Sequence, residues 1–341
     1  MTRRPLLKPL VPLYRAAQLA EDWLRTRGMP QTRTLAWPVI SVGSLSAGGA
    51  GKTPVVIALA ELLCEAGWHV DVLSRGYGRT GRGVARVEVS AENAAAKFGD
   101  EPVLIAQRTG VPVWVGAERY AAGRAAEAAN DTPHTNSRVH LLDDGFQHRK
   151  LARAFEVVLV TAEDLDDTLL PAGNLREPHA ALARADAVVV RQDEVDRVAK
   201  RVWPLLREGA QLWTVRRALR FPEPLGVLAA GLRPLAFCAI ARPEDFSLAL
   251  RHAGCGIVDT VVLPDHAAYS PSRMQEIVAF AHKLKATGLV TTEKDAVKLS
   301  AAARAQLESA VGPLAIVALD TNFDEPAAVL RALMARLESA R

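Results

Sequence analysis

From residue 39 onward, short apolar runs alternate with stretches of helical spacing. The runs at 39–43, 68–74, 112–116, 139–142, 156–161 and 185–191 read as buried strands. Between them, 52–66 and 120–129 carry helical periodicity, and Gly67 supplies a stop for the first of these. Such alternation predicts a mostly parallel sheet covered on both faces. Pro222 and Pro224 break the pattern and suggest a domain boundary. Beyond them, 235–240, 257–263, 288–292 and 314–319 read as four more strands. Helices fall between these strands, one of them starting after Ser272 with Gln275 at capping-box spacing. The fold class is therefore α/β. An α/β/α parallel-sheet domain at 36–222 precedes a smaller α/β domain at 223–341, whose last helix is open to returning to the first. A cleft between two such domains is the expected ligand site.

Residues 1–35 stand apart. Pro12 starts an amphipathic helix reaching about Gly28, with Leu13, Ala16, Ala17, Ala20, Trp23 and Leu24 at helical spacing. Arg15, Arg25 and Arg27 flank that face. Two readings are open: an ordinary helix docked on the protein's own core, or a helix lying in a membrane interface with its arginines at anionic headgroups.

Composition narrows the classes. A length of 341 residues suits two domains, and 49% apolar with 23% charged residues suits a globular core. Cys64, Cys238 and Cys255 form no CxxC pair, which argues for a reducing compartment and against a disulfide scaffold or zinc site. The net charge is +4, yet residues 1–35 alone hold seven basic and two acidic residues, or +5, leaving −1 for the rest. A nearly neutral body is not one built to wrap nucleic acid. No apolar run reaches the roughly 18 residues of a spanning helix, and Pro5, Pro9 and Pro12 interrupt any signal-peptide core.

The strongest chemical signal is the stretch Ser41 to Thr53, SVGSLSAGGAGKT, between a predicted strand and a predicted helix. This is the context of a phosphate-binding P-loop. In Ser46-Ala47-Gly48-Gly49-Ala50-Gly51-Lys52-Thr53, glycines let backbone N–H groups turn toward phosphate oxygens, and the helix N-terminus adds its positive end. Lys52 would reach the β/γ-phosphates, and the Thr53 hydroxyl would ligate magnesium. Ser46 stands where the strict pattern has glycine. The apolar run 139–142 ends in Asp143 and Asp144, placed as a metal-side carboxylate pair. Three more polar clusters fall where strand-end loops converge on a ligand crevice: SRGYGR at 74–79, GDEP at 99–102 and LPAGNLREP at 170–178. Each also has a plain reading, since Asp100 could merely cap a helix starting at Glu101.

Taken in order, the P-loop, SRGYGR, GDEP, DDGFQH, LPAGNLREP, LPDH and TTEKDA closely resemble the tetraacyldisaccharide 4'-kinase family of lipid A biosynthesis, over about residues 10 to 300. The resemblance implies two α/β/α domains joined by a strand linker, with ATP and Mg²⁺ in the cleft. It implies phosphorylation of the 4'-hydroxyl of an acylated disaccharide 1-phosphate, by a peripheral enzyme at the cytoplasmic face of the inner membrane. It implies Asp100 as general base paired with His266, and Lys52, Thr53, Asp143 and Asp144 at the phosphate and metal positions. Arg176 would offset charge on the transferring group, and Glu177 would join the metal side. Arg75, Tyr77, Glu101, Gln147 and His148 would line the substrate. A monomer is favoured, and no nucleic-acid partner is expected. Rival readings are a membrane-recruited P-loop ATPase switch, which Ala47 in place of a lysine weakens, a nucleotide-signalled binding module, and a kinase of soluble sugars.

Overall fold

The computed structural model describes residues 4–29, 31–129, 137–221 and 232–339. The expected boundary at Pro222 and Pro224 lies outside the described residues. Twelve strands form one sheet: β1 (Val39–Ser44), β2 (His69–Ser74), β3 (Ala85–Arg86), β4 (Val113–Val115), β5 (Arg138–Asp143), β6 (Phe155–Leu159), β7 (Ala187–Arg191), β8 (Gln211–Arg220), β9 (Pro234–Cys238), β10 (Thr260–Val262), β11 (Gly288–Thr292) and β12 (Leu314–Phe323). Their order is β10-β9-β11-β12-β8-β7-β6-β1-β5-β2-β4-β3. Neighbours run parallel except for β3 against β4 and β8 against β12.

The β8–β12 pair places the site. Thr292 at the end of β11 is level with Val317, and the next residue of β12, Ala318, pairs with Arg220 at the end of β8. The carboxyl ends of the two parallel sets therefore face each other across this junction. In parallel sheets ligands gather at those ends, and here both sets deliver their loops to one cleft.

β8 was not legible as a strand. Its outer half carries Arg216, Arg217 and Arg220, which mask the alternation, and it is held by β12 rather than by local pattern. For the same reason β12 runs past Leu319 to Phe323 through the polar stretch Asp320–Asn322. The helix Pro271–Lys283 starts earlier than Ser272: Ser270 is its cap, accepting from the Arg273 N–H, because Pro271 takes the first helical position. Ser272 instead sits in the first turn facing Glu276.

The main core lies between β1, β2, β5, β6 and the helix Lys52–Glu65, and Val329, Leu333 and Leu337 of the final helix Pro326–Ser339 belong to it. A separate pair of clusters covers the two faces of β9 and β11. The N-terminal helix Val11–Thr26 buries no residue. Its polar stripe meets the protein through Tyr14 and Gln18, both donating to the Arg176 carbonyl, and through Asp22 paired with Arg149. Leu6, Leu13, Leu19 and Trp23 remain exposed, Leu13 at 71%. The apolar face thus points away from the protein's own core.

Candidate active site

The P-loop forms as expected. Gly48, Gly49 and Gly51 adopt φ of 81°, 70° and 82°, and Gly51 is the N-cap of Lys52–Glu65. Ser46 is not among the residues of positive φ, so its side chain costs no strain and the departure from glycine is harmless. The loop is braced from the side by the LPAGNLREP segment. The Ala47 N–H donates to the Asn174 carbonyl at 2.9 Å, and the Arg176 N–H to the Leu45 carbonyl at 2.7 Å. Asn174 is fixed in turn by Asp167.

Lys52 Nζ lies 3.4 Å from Asp144 and 3.3 Å from Ser44 Oγ. Asp144 also takes a bidentate contact from Arg176, at 2.9 and 2.8 Å, and has φ of 50°. Burial works to raise the Asp144 carboxyl, but Lys52 and Arg176 outweigh it and hold it below its usual range. Asp143 is the opposite case. It accepts from Ser74 Oγ at 2.8 Å, and its other oxygen is buried without a partner. Burial, then Glu101 and Asp144, push it up. A buried carboxylate oxygen with no donor, beside a second carboxylate that meets the P-loop lysine, fits a hard cation that takes its other ligands from phosphate and water. Among the described residues no group of three or more His, Cys, Asp or Glu forms a metal cage by itself.

Across the cleft, the GDEP segment starts the helix Asp100–Thr109. Gly99 has φ of 100°, and a Cβ there would come within 3.2 Å of the Gly76 Cα, so two glycines let the SRGYG and GDEP loops touch. Asp100 is 7% exposed and lies against His266 Nδ1 at 2.9 and 3.2 Å. Burial tends to raise Asp100, but the His266 hydrogen bond and the charge of Lys294 bring it below its ordinary value. The same hydrogen bond, against burial, raises His266. His266 has φ of 60°, so it and Asp144 are two of the four described non-glycine residues in the left-handed region. Strain of this kind persists only where surroundings impose it, and it gathers at functional sites.

The remaining expected residues fall into place unevenly. Glu101 is paired with Lys294 at 3.2 Å, and Lys294 also meets Asp265 at 3.4 Å. Gln147 donates to the Ser44 carbonyl at 3.0 Å and accepts from Arg176 at 3.1 Å, so it braces Arg176. Tyr77 is 67% exposed, its ring 5.6 Å from that of His266, and Arg75 is exposed beside it. His148 is brought down to about 4 by burial, then by Arg119 and Arg153. Glu177 differs from expectation. Both its oxygens face Arg184, at 3.0 and 2.8 Å, and among the described residues no contact joins it to Asp143, Asp144 or Lys52. Two contributors were not picked out from the sequence: Lys294, within the TTEKDA turn, and Arg119, a buried arginine acting on Asp143, Asp144 and Arg75 through its charge. Both owe their place to loops from other strands, which no local pattern announces.

A cavity of about 400 Å³ reaches from Gly48, Gly51, Lys52 and Thr53 to Glu101, His266 and Lys294, with Ile240, Phe246, Val317 and Leu319 as its apolar wall; Asp144 and Asp100 adjoin it through Lys52 and His266. A phosphate cradle, a carboxylate pair and a buried Asp–His pair in one cleft can bind a nucleotide and remove a proton from an acceptor.

The family model described as LpxK, tetraacyldisaccharide-1-P 4'-kinase, matches residues 3–338. A tetraacyldisaccharide 4'-kinase of Koribacter versatilis is 39% identical over 97% of this chain and 99% of its own length. That of Neisseria meningitidis serogroup A is 39% identical over 86% of this chain and 83% of its own. Among solved structures, LpxK from Aquifex aeolicus, crystallised in complex with ATP, superposes with a TM-score of 0.74 at 29% identity, covering 97% of this chain and 98% of that one. On sequence and fold together, this chain belongs to the tetraacyldisaccharide 4'-kinase family.

Proposed function

We propose that this chain transfers the γ-phosphoryl group of ATP to the 4'-hydroxyl of tetraacyldisaccharide 1-phosphate, the reaction for which its family is named. The observation that carries the reading is the pairing of Asp100 with His266, whose side chain lines the same cavity as Lys52, the lysine paired with Asp144. Residues 46–53 hold the triphosphate. Thr53 with Asp143 and Asp144 would hold magnesium, which would supply charge neutralisation on the phosphate oxygens. Asp100 accepts the hydroxyl proton as the sugar oxygen bonds to the γ-phosphorus and the bond to the β–γ bridging oxygen breaks, releasing ADP. His266 orients Asp100 and tunes its charge. Arg176 now holds Asp144, and with Lys52 it meets charge on the transferring group. Arg75, Tyr77, Glu101, Gln147 and His148 face the acceptor, and Glu177 with Arg184 steadies the loop that carries Arg176.

In this reading residues 36–222 are the nucleotide-binding domain, and 223–341 bring His266 and Lys294, with the last helix lent back to the first domain. Residues 1–35 are a peripheral membrane anchor on the cytoplasmic side of the inner membrane. The exposed face of Leu13 and Trp23 supports this, because it sits on a helix tied to the Arg176 loop. No described helix is long and apolar enough to cross a membrane. Sedimentation with anionic vesicles tests the anchor: Leu13→Ser with Trp23→Ser should lower the bound fraction severalfold, and equal binding would remove it.

The deciding experiment is transfer of labelled γ-phosphate from ATP to tetraacyldisaccharide 1-phosphate in detergent micelles. A bis-phosphorylated lipid that disappears with Lys52→Ala is expected. Phosphate release without a lipid product would instead favour an ATPase switch.

A further inference from the structure

Beside Lys52, a second cation stands against the phosphate loop. Arg217 on β8 donates from Nη2 to the Ala50 carbonyl at 2.9 Å, and a Cβ built on Gly51 would lie 1.9 Å from that nitrogen. Its guanidinium therefore rests directly on the glycine that opens the P-loop helix. Cations around it are matched: Lys52 by Asp144, Arg191 by Asp193 and Asp245, Arg242 by Glu163 and Asp245, Lys294 by Glu101 and Asp265. Among the described residues no carboxylate pairs with Arg217, and its Nε is buried without a hydrogen-bond partner. Burial, then the charges of Arg191 and Arg242, bring it down to about 10. A guanidinium that has lost water and gained no counter-ion is poised for an anion.

Two features say which anion. Pro54 sits in the first turn of the P-loop helix, where free N–H groups point at phosphates, and it has none to give. Leu219 lies on the same face of β8 as Arg217, and with Ile240, Phe246, Val317 and Leu319 it makes the adjoining wall apolar, suited to a base rather than a phosphate. We infer that Arg217 binds the phosphate adjoining the nucleoside, supplying the donor that Pro54 lacks and setting the preference for nucleotides over nucleosides. The inference rests on the cleft being the nucleotide site.

The test is equilibrium binding of ADP, AMP and adenosine to the full chain, by calorimetry in EDTA, for wild type, R217A, R217K, R217Q and Lys52→Ala. R217A and R217Q should weaken ADP and AMP roughly 10- to 100-fold while adenosine holds within about twofold. R217K should fall between, keeping the charge without the planar fork. The preference between the two α-phosphorothioate diastereomers of ADP should be present in wild type and in Lys52→Ala and lost in R217A. Wild-type ADP and AMP affinity in R217A and R217Q, with Lys52→Ala weakened, would overturn the inference and leave the cleft reading standing. So would a diastereomer preference that is unchanged or absent throughout, or loss of adenosine binding along with AMP, since Arg217 would then only shape the loop. ADP affinity unmoved in every variant would sink the cleft reading itself. Should R217A fail to fold, R217K and R217Q decide.

Discussion

At the scale of residues, the site is governed by which carboxylates are matched. Asp100 and His266 stabilise each other's charged forms, so Asp100 is lowered and His266 raised. For His266 the sign follows directly. The pairing contributes fully below the ordinary histidine value of about 6.5 and fades as pH rises through the higher folded value. While His266 is protonated, Asp100 is a weaker base. The rate should therefore climb as pH passes through the raised His266 value, above about 6.5. Asp100→Asn should lower kcat by roughly 100- to 10,000-fold, the span of general-base catalysis, with little change in ATP affinity. His266→Gln should remove that acid limb from the kcat–pH profile and lower the plateau less than Asp100→Asn does. An Asp100→Asn enzyme turning over near wild type would mean another group takes the proton. Lys52, Thr53 and the two aspartates were legible because glycine spacing and a strand ending in Asp-Asp are local signals. Arg119, Arg217 and Lys294 were not, since each acquires its role from a loop or strand distant in sequence.

At the scale of elements, the helix Asp100–Thr109 is held at both ends by the second half of the chain. Its first turn meets His266 and Lys294 through Asp100 and Glu101. Its last turn sends Arg108 to both oxygens of Glu293, at 2.9 and 2.8 Å, and to Asp320 at 2.7 Å. Glu293 opens the short helix Glu293–Ala296 that also carries Lys294. The clamp therefore fixes the helix that carries Asp100 against the turn that carries Lys294. Burial disfavours the Arg108 charge, but Glu293 and Asp320 outweigh it and hold it raised. Arg108→Ala leaves the largely buried Glu293 carboxylate without its cation, while Asp320 keeps Arg220. It should cost roughly 1–3 kcal/mol, less than for a fully buried pair because water reaches the site. It should also reduce kcat more than ATP binding, and unchanged thermal stability with unchanged kcat would refute the clamp. Parallel strands and the P-loop helix were readable from apolar runs and glycines. The arginine-rich β8 was not, because its alternation is completed only by β12. The N-terminal helix was readable as amphipathic, but not which face docks. That depended on Tyr14, Gln18 and Asp22 finding the Arg176 carbonyl and Arg149.

At the scale of the molecule, two parallel sets of strands meet within one sheet through one antiparallel pair, and the chain crosses between them twice. It leaves the first set by β8 and returns by β12. Trp213 on β8 stacks on Phe155 and meets Phe323 edge-on, tying both linker strands to the first core. The return is completed by Pro326–Ser339, whose Val329, Leu333 and Leu337 fill the same cluster as Ile40 and Leu59. The first half is therefore not closed until the helix Pro326–Ser339 is in place, while the second half keeps its own clusters on β9 and β11. Such interleaving predicts that the halves do not unfold independently. Leu333 is fully buried, and Leu333→Ala should cost roughly 2–5 kcal/mol, the range for a large cavity in a packed core. If the halves are coupled, that loss should lower a single calorimetric transition, and tryptophan fluorescence, whose six emitters all lie at or before Trp213, should move with far-UV circular dichroism. Two separated transitions, with only the one carrying Trp213 displaced, would mean the second half stands alone and that β8–β12 is a hinge between independent bodies. A single displaced transition would mean that the cleft has walls held in one cooperative unit, so that nucleotide bound at Lys52 stabilises the strand ends that carry His266 and Lys294 as well.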